Sequence, residues 1–168
     1  VMGTLSDRLN KFSESQTLAM TRKSRELSAQ GVDVINLSIG EPDFDTPESI
    51  KKAAKKAIDD NITHYSPVPG FPELREAISK KFQRDNNLEY SPNQIVVSTG
   101  AKQSITNVVL SLVNPDDEVL LPAPFWVSYV EMVKIAEGTP VIISSEIEND
   151  FKISAEQIRN AINNKTRL

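Results

Sequence analysis

Five consecutive small or basic residues, Ser98, Thr99, Gly100, Ala101 and Lys102, form the stretch best suited to chemistry. They follow Ile95, Val96 and Val97, a short β-branched apolar run that reads as a buried strand. They precede Ile105, Val108, Val109 and Leu112, apolar residues at helical spacing. A strand turning directly into a helix leaves the first helical N–H groups without intrahelical partners, at the positive end of the helix dipole. Such a turn holds a phosphate or a carboxylate, and Lys102 adds a formal positive charge. The same small residues also serve a tight connection that binds nothing. Neither G-x-x-x-x-G-K-[ST] nor G-x-G-x-x-G occurs. A second stretch, Pro122-Ala123-Pro124-Phe125-Trp126, leaves the carboxyl end of the next predicted strand. Its indole offers a flat stacking surface, although aromatic rings mostly fill cores. Ligands of open α/β sheets sit beyond the carboxyl ends of strands. An anion clamp and a stacking ring, both placed there, suit a phosphorylated planar cofactor.

The elements that must position these residues follow from the pattern. A helix is predicted over residues 17–30 with Gly31 as its stop, then a strand over 32–39 ending at Gly40. Residues 40–47 are dense in turn formers, and Thr46 is expected to cap a helix whose first residue is Pro47. That helix carries the apolar stripe Ile50, Ala53, Ala54, Ala57 and Ile58. A proline-rich loop spans 61–70, and a helix from about Pro72 is expected to bury Leu74, Ala77, Ile78 and Phe82. Beyond the central turn come strands at 118–121 and 140–143, with a helix at 127–136 between them. Ser154 and Gln157 have capping-box spacing and open a helix expected to bury Ile158, Ala161 and Ile162. From residue 94 onward the order is β-α-β-α-β-α, which implies an α/β fold with a parallel sheet and right-handed crossovers.

Composition narrows the function. The 168 residues contain 39% hydrophobic and 25% charged side chains, ordinary for a globular domain. A formal charge of −4 without a Lys/Arg stripe argues against nucleic acid as a partner. Cysteine is absent and His64 is the single histidine, so no metal site is expected. No apolar stretch is long enough to span a membrane and no signal-peptide core is visible, which makes the cytoplasm the expected location.

Four stretches carry a resemblance. They are residues 36–47 (NLSIGEPDFDTP), 63–67 (THYSP) with 70–75 (GFPELR), 98–103 (STGAKQ) and 124–129 (PFWVSY). In this order and spacing they resemble the class I aminotransferases, pyridoxal-phosphate enzymes of fold type I. The similarity runs from about Ser13 to the last residue and is nearest to the bacterial aspartate aminotransferases. It implies the N-terminal part of that fold: a parallel-rich sheet with helices on both faces, preceded by an N-terminal arm of the small domain. Residues 1–46 would be the arm and small-domain segment, and 47–168 an incomplete large cofactor-binding domain.

The resemblance also assigns residues. Gly100, Ala101 and Lys102 match the turn that holds the cofactor phosphate, with Ala101 where the family often has a second glycine. Trp126 matches the aromatic stacked on the pyridine ring and bordering the substrate. Gly40 matches the glycine whose N–H meets the substrate carboxylate. Tyr65 matches a tyrosine reaching the cofactor phosphate of a neighbouring subunit, which implies a homodimer; alone it reads as an exposed loop tyrosine. Lys102, with Ser15 and Thr17, resembles the group receiving the distal carboxylate of aspartate or glutamate, while Ser15 and Thr17 also read as helix caps. The Ala123–Pro124 bond is expected to be cis. Glu41, Asp43 and Asp45 read as turn and cap residues.

No catalytic residue is expected within the chain. In the family, the Schiff-base lysine lies in an S-x-x-K setting well downstream, which here falls beyond Leu168. Ser49-Ile50-Lys51-Lys52 fits those letters, but it opens an amphipathic helix and is rejected. The expected activity of the longer parent is amino-group transfer between an acidic amino acid and a 2-oxo acid. An aminotransferase of other substrate range, a β-lyase, or a non-catalytic binding or dimerisation module of the same fold are the alternatives. The family's strand order also implies that 95–98 makes no ladder with 118–121, and that 118–121 pairs with 140–143. An isolated 168-residue polypeptide would then be aggregation-prone or partly unfolded.

Overall fold

The computed structural model describes Leu9, residues 16–38 and residues 40–168. The main elements are α1 (Gln16–Ala29), α2 (Glu48–Asp59), α3 (Pro72–Asn86), α4 (Gly100–Leu112), β1 (Glu118–Pro122), α5 (Ser128–Ile135), β2 (Thr139–Ile143) and α6 (Ala155–Ala161). The chain divides into two compact units, one of residues 1–40 with 104–168 and one of 41–103.

In the first unit β1 and β2 pair in parallel, with Glu118 opposite Thr139 and Pro122 opposite Ile143. Residues 165–168 run along the other edge of β1. There the Glu118 N–H donates to Lys165 O at 2.8 Å, Arg167 N–H to Glu118 O at 2.8 Å and Leu120 N–H to Leu168 O at 2.9 Å. Alternation places Val119 and Leu121 of β1 in the core, where they meet Val109 and Val113 from α4 and its end, and Val133 and Ala136 from α5 and its end. Val133 is 1% exposed, the deepest large side chain among the described residues. The α5–β2 turn is tight: a Cβ on Gly138 would lie 2.6 Å from Val113 Cγ1 and 3.1 Å from Asp117 O. Ser154 caps α6 as its spacing indicates, accepting from Gln157 N–H at 3.1 Å while Gln157 Oε1 accepts from Ser154 N–H at 2.8 Å.

The second unit rests on α3. Its Arg75 Nη1 donates to Pro92 O at 3.1 Å, Ser79 Oγ donates to Tyr90 O, and Phe82 meets Tyr90 edge-on with ring centres 6.1 Å apart. These contacts hold residues 90–92 against the helix and lead into 95–97. Gly70 fits beneath that run with φ +98°, since a Cβ there would overlap Val97 Cγ2 at 2.6 Å.

The parallel pairing of 118–121 with 140–143 is as expected, and 95–98 makes no ladder with 118–121. Other expectations are corrected. Residues 95–97 are not a ladder strand: Ile95 N–H donates back to Pro92 O at 3.3 Å, and Val97 N–H donates to Pro69 O at 3.0 Å. Residues 32–37 form no strand either, and Ile39 lies outside the described residues. Alternating sequence does not make a strand without a neighbouring strand to take its hydrogen bonds. Thr46 is not a cap: α2 starts at Glu48 with Pro47 as the preceding residue and no side-chain cap. The apolar stripes of α2, α3 and α6 bury no residue fully, and Leu74, Ile158 and Ile162 are exposed.

Much apolar surface therefore faces solvent: Ile35 is 85% exposed, Leu37 89% and Val68 97%. Patches of this kind mark surfaces that associate, and net domain stability is only about 5–15 kcal/mol. Expressed alone, residues 1–168 are expected to aggregate or remain partly unfolded. Sedimentation and thermal unfolding check this; a soluble monomer with one cooperative transition contradicts it.

Candidate functional site

The central turn joins residues 95–97 to α4. Gly100 has φ +79°, a left-handed conformation that costs a residue with a Cβ about 1–2 kcal/mol. An added Cβ would meet nothing within 4 Å, so conformation and not space requires the glycine. Its N–H donates to Ser98 O at 2.8 Å, and the Thr99 N–H donates to Gln103 Oε1. Ala101 and Lys102 lie in the exposed first turn of α4, where N–H groups precede the first intrahelical bond. An open helix start with a lysine in its first turn is a donor set that fits a phosphate dianion.

Trp126 sits beyond the carboxyl end of β1 and is 42% exposed. The segment before it is pinned at Ala123, whose N–H donates to Ile143 O at 2.9 Å and whose carbonyl accepts from Ser145 Oγ. The Ala123–Pro124 bond is cis, as expected. Tyr129 stands edge-to-face against the indole at 5.7 Å and 85°. Tyr129 itself packs on the core cluster, so the ring of Trp126 is braced from the protein side. Phe125, Trp126 and Tyr129 line an apolar groove floored by Val109, Leu121 and Val133.

Thr17 is the second residue of α1 and so lies inside the helix, not at its cap. It lines a separate groove with Met20, Leu37, Ser38 and Val127, the residue after Trp126. Its carbonyl accepts from Thr21 Oγ1 at 2.8 Å. Ser15 lies outside the described residues. Gly40 is exposed, and a Cβ added to it would meet nothing within 4 Å, so no close contact demands glycine there. Tyr65 projects fully into solvent from the 61–70 loop, and His64, Glu41, Asp43 and Asp45 are exposed. Thr17, Gly40 and Trp126 belong to the first unit, Tyr65 and residues 100–102 to the second. Among the described residues, no group of His, Asp and Glu could hold a metal ion, and no helix is long and apolar enough to cross a membrane.

The profile of the class I and II aminotransferases matches residues 32–168. The chain belongs to this family. An aspartate/prephenate aminotransferase from Cereibacter sphaeroides is 52% identical over 166 residues, covering 99% of this chain and 42% of the relative. The chain thus spans about two fifths of the length of the curated relatives it matches. Among solved structures, the aspartate aminotransferase of Thermus thermophilus with maleate superposes with a TM-score of 0.92 at 43% identity, covering 98% of this chain and 43% of that one. An alanine aminotransferase from Pyrococcus furiosus gives 0.89 at 32% identity, over 97% and 42%. The α/β architecture is accordingly that of the N-terminal part of the aminotransferase fold.

The structure adds Gln103 and Tyr129, to which the motifs assign no role of their own. Gln103 carries a legible signal, since Thr99 and Gln103 differ by one position from capping-box spacing. Tyr129 carries its signal as the last residue of the 124–129 stretch. If Tyr129 braces the indole through its ring, Tyr129→Phe should leave stability nearly unchanged. Tyr129→Ala should cost about 1.5–3 kcal/mol of apolar burial. Denaturant unfolding of the complete polypeptide measures both.

Proposed function

We propose that the complete polypeptide containing this chain is a pyridoxal-phosphate-dependent aminotransferase for acidic amino acids, working as a cytoplasmic homodimer. The observation that carries the reading is the glycine-led turn of Ser98 to Lys102 at an open helix start, within a chain that belongs to the aminotransferase family. In this reading residues 1–46 act as arm and small-domain segment and 47–168 as part of the cofactor domain.

The residues of this chain bind and orient. The turn at Gly100, Ala101 and Lys102 would hold the cofactor phosphate, Gly100 shaping the turn and the N–H groups of Ala101 and Lys102 acting with the helix dipole. Trp126, braced by Tyr129, would stack on the pyridine ring and exclude water from one face. Tyr65, on its exposed loop, would reach the phosphate in the partner subunit. Gly40 would offer its N–H to the substrate α-carboxylate. When bound, pyridoxal phosphate supplies the carbonyl carbon and electron-withdrawing ring that amino-group exchange requires. The lysine that carries the cofactor is not assigned to any of the lysines in residues 1–168.

Substrate class rests on Lys102 with Ser15 and Thr17, which would meet a distal carboxylate. The Thermus relative's maleate is a four-carbon dicarboxylate, and aspartate and prephenate, named for the Cereibacter relative, each carry a second carboxylate. A different substrate range is the second reading, favoured by the alanine aminotransferase at 32% identity.

Two outcomes test the proposal. The complete protein should bind pyridoxal phosphate with an absorption band that shifts on adding aspartate; no band in excess cofactor overturns the reading. Lys102→Ala should lower kcat/KM for aspartate far more than for an apolar amino acid. A charge-assisted contact to a carboxylate is worth about 1.5–3 kcal/mol, which corresponds to roughly one to two powers of ten. Equal losses for both substrates would assign Lys102 to the phosphate instead.

A further inference from the structure

Two N–H groups lie at the entry to α4, and both are already tied within the turn. Gly100 donates to Ser98 O at 2.8 Å, and Thr99 donates to the side-chain oxygen Oε1 of Gln103. Gln103 stands four residues beyond Thr99, one more than the glutamine of a capping box. Gly100, at φ +79°, is part of the intervening turn. We infer that Gln103 is a positioning residue for the anion-binding turn: it fixes the Thr99 peptide so that the N–H groups of Ala101 and Lys102 stay presented to a phosphate. The inference rests on the cofactor reading given above.

The physical basis is preorganisation. A turn of Ser, Thr, Gly and Ala has little side-chain bulk to hold its shape, and glycine adds backbone freedom. Ordering such a segment at the moment of binding subtracts from affinity, whereas a turn already held in place binds more tightly. Gln103 supplies that restraint from the same helix, one turn away, without occupying the first-turn N–H groups. Its chemistry also matters. A carboxamide accepts the Thr99 N–H as a carboxylate would, but brings no negative charge beside an arriving phosphate dianion. Gln103 is exposed, so its replacement leaves the core cluster around Val109 and Val133 intact.

The test compares two ligands that differ only in the phosphate. Dissociation constants of pyridoxal phosphate and of pyridoxal are measured by equilibrium dialysis on the complete protein and on two variants. Gln103→Ala removes the acceptor and should weaken pyridoxal phosphate about three- to tenfold, the equivalent of one neutral hydrogen bond, with pyridoxal unchanged. Gln103→Glu keeps an acceptor but adds charge, and should weaken pyridoxal phosphate further, again sparing pyridoxal. Unaltered pyridoxal phosphate binding by both variants, or equal losses for both ligands, overturns the inference while the cofactor reading stands. Failure of the unsubstituted protein to bind pyridoxal phosphate overturns the cofactor reading and this inference with it.

Discussion

Along β1 one row of backbone groups pairs with β2, and on the other edge Glu118 and the Leu120 N–H pair with residues 165–168. A strand buried without such partners leaves donors and acceptors unsatisfied, at about 1–3 kcal/mol for each group. With β1 paired to β2 and held at Glu118 and Leu120 on its other edge, its alternation does the rest. Val119 and Leu121 point to one face, and α4 and α5 supply Val109 and Val133 to meet them. The same requirement explains what is missing elsewhere. Residues 95–97 and 32–37 have strand-like composition, yet no ladder partner lies beside them among the described residues, and they stay outside any sheet.

This asymmetry decides what the sequence makes legible. Helices are encoded locally, so α1, α3, α5 and α6 fall close to the ranges that periodicity and capping indicate. Ser154 and Gln157 form their capping box because both partners lie within one turn of chain. Thr46 fails as a cap because the choice between it and Pro47 turns on backbone geometry that composition does not express. Strands depend on residues far away in sequence. The pairing of β1 with β2 is accessible through the family's strand order, and not from alternation, which is no weaker at 32–37.

The candidate site divides in the same way. The glycine-led turn is visible because φ +79° at Gly100 excludes most side chains, leaving a signature in composition. Trp126 is visible as a large ring beyond a strand end, and its structure adds what composition omits: Tyr129 at 85° to it, itself seated on the core. Gln103 is hidden because its role depends on where its side chain folds back, not on its own helical position. Tyr65 and Gly40 remain tied to the resemblance, since the geometry around them shows exposure but no partner that would define a role.

One element carries both the glycine-led turn and a residue of the core. α4 opens at Gly100 with an exposed first turn and reaches Val109, which is 3% exposed and packed on β1. The stretch of helix between the two is about 13 Å long at the usual rise. Val109 is the one fully buried residue of α4, and Val113 just past its end joins the same cluster, so the helix meets the core near its C-terminal end while its first turn stays exposed. Binding of an anion at such a terminus needs fixed dipoles more than it needs additional charge.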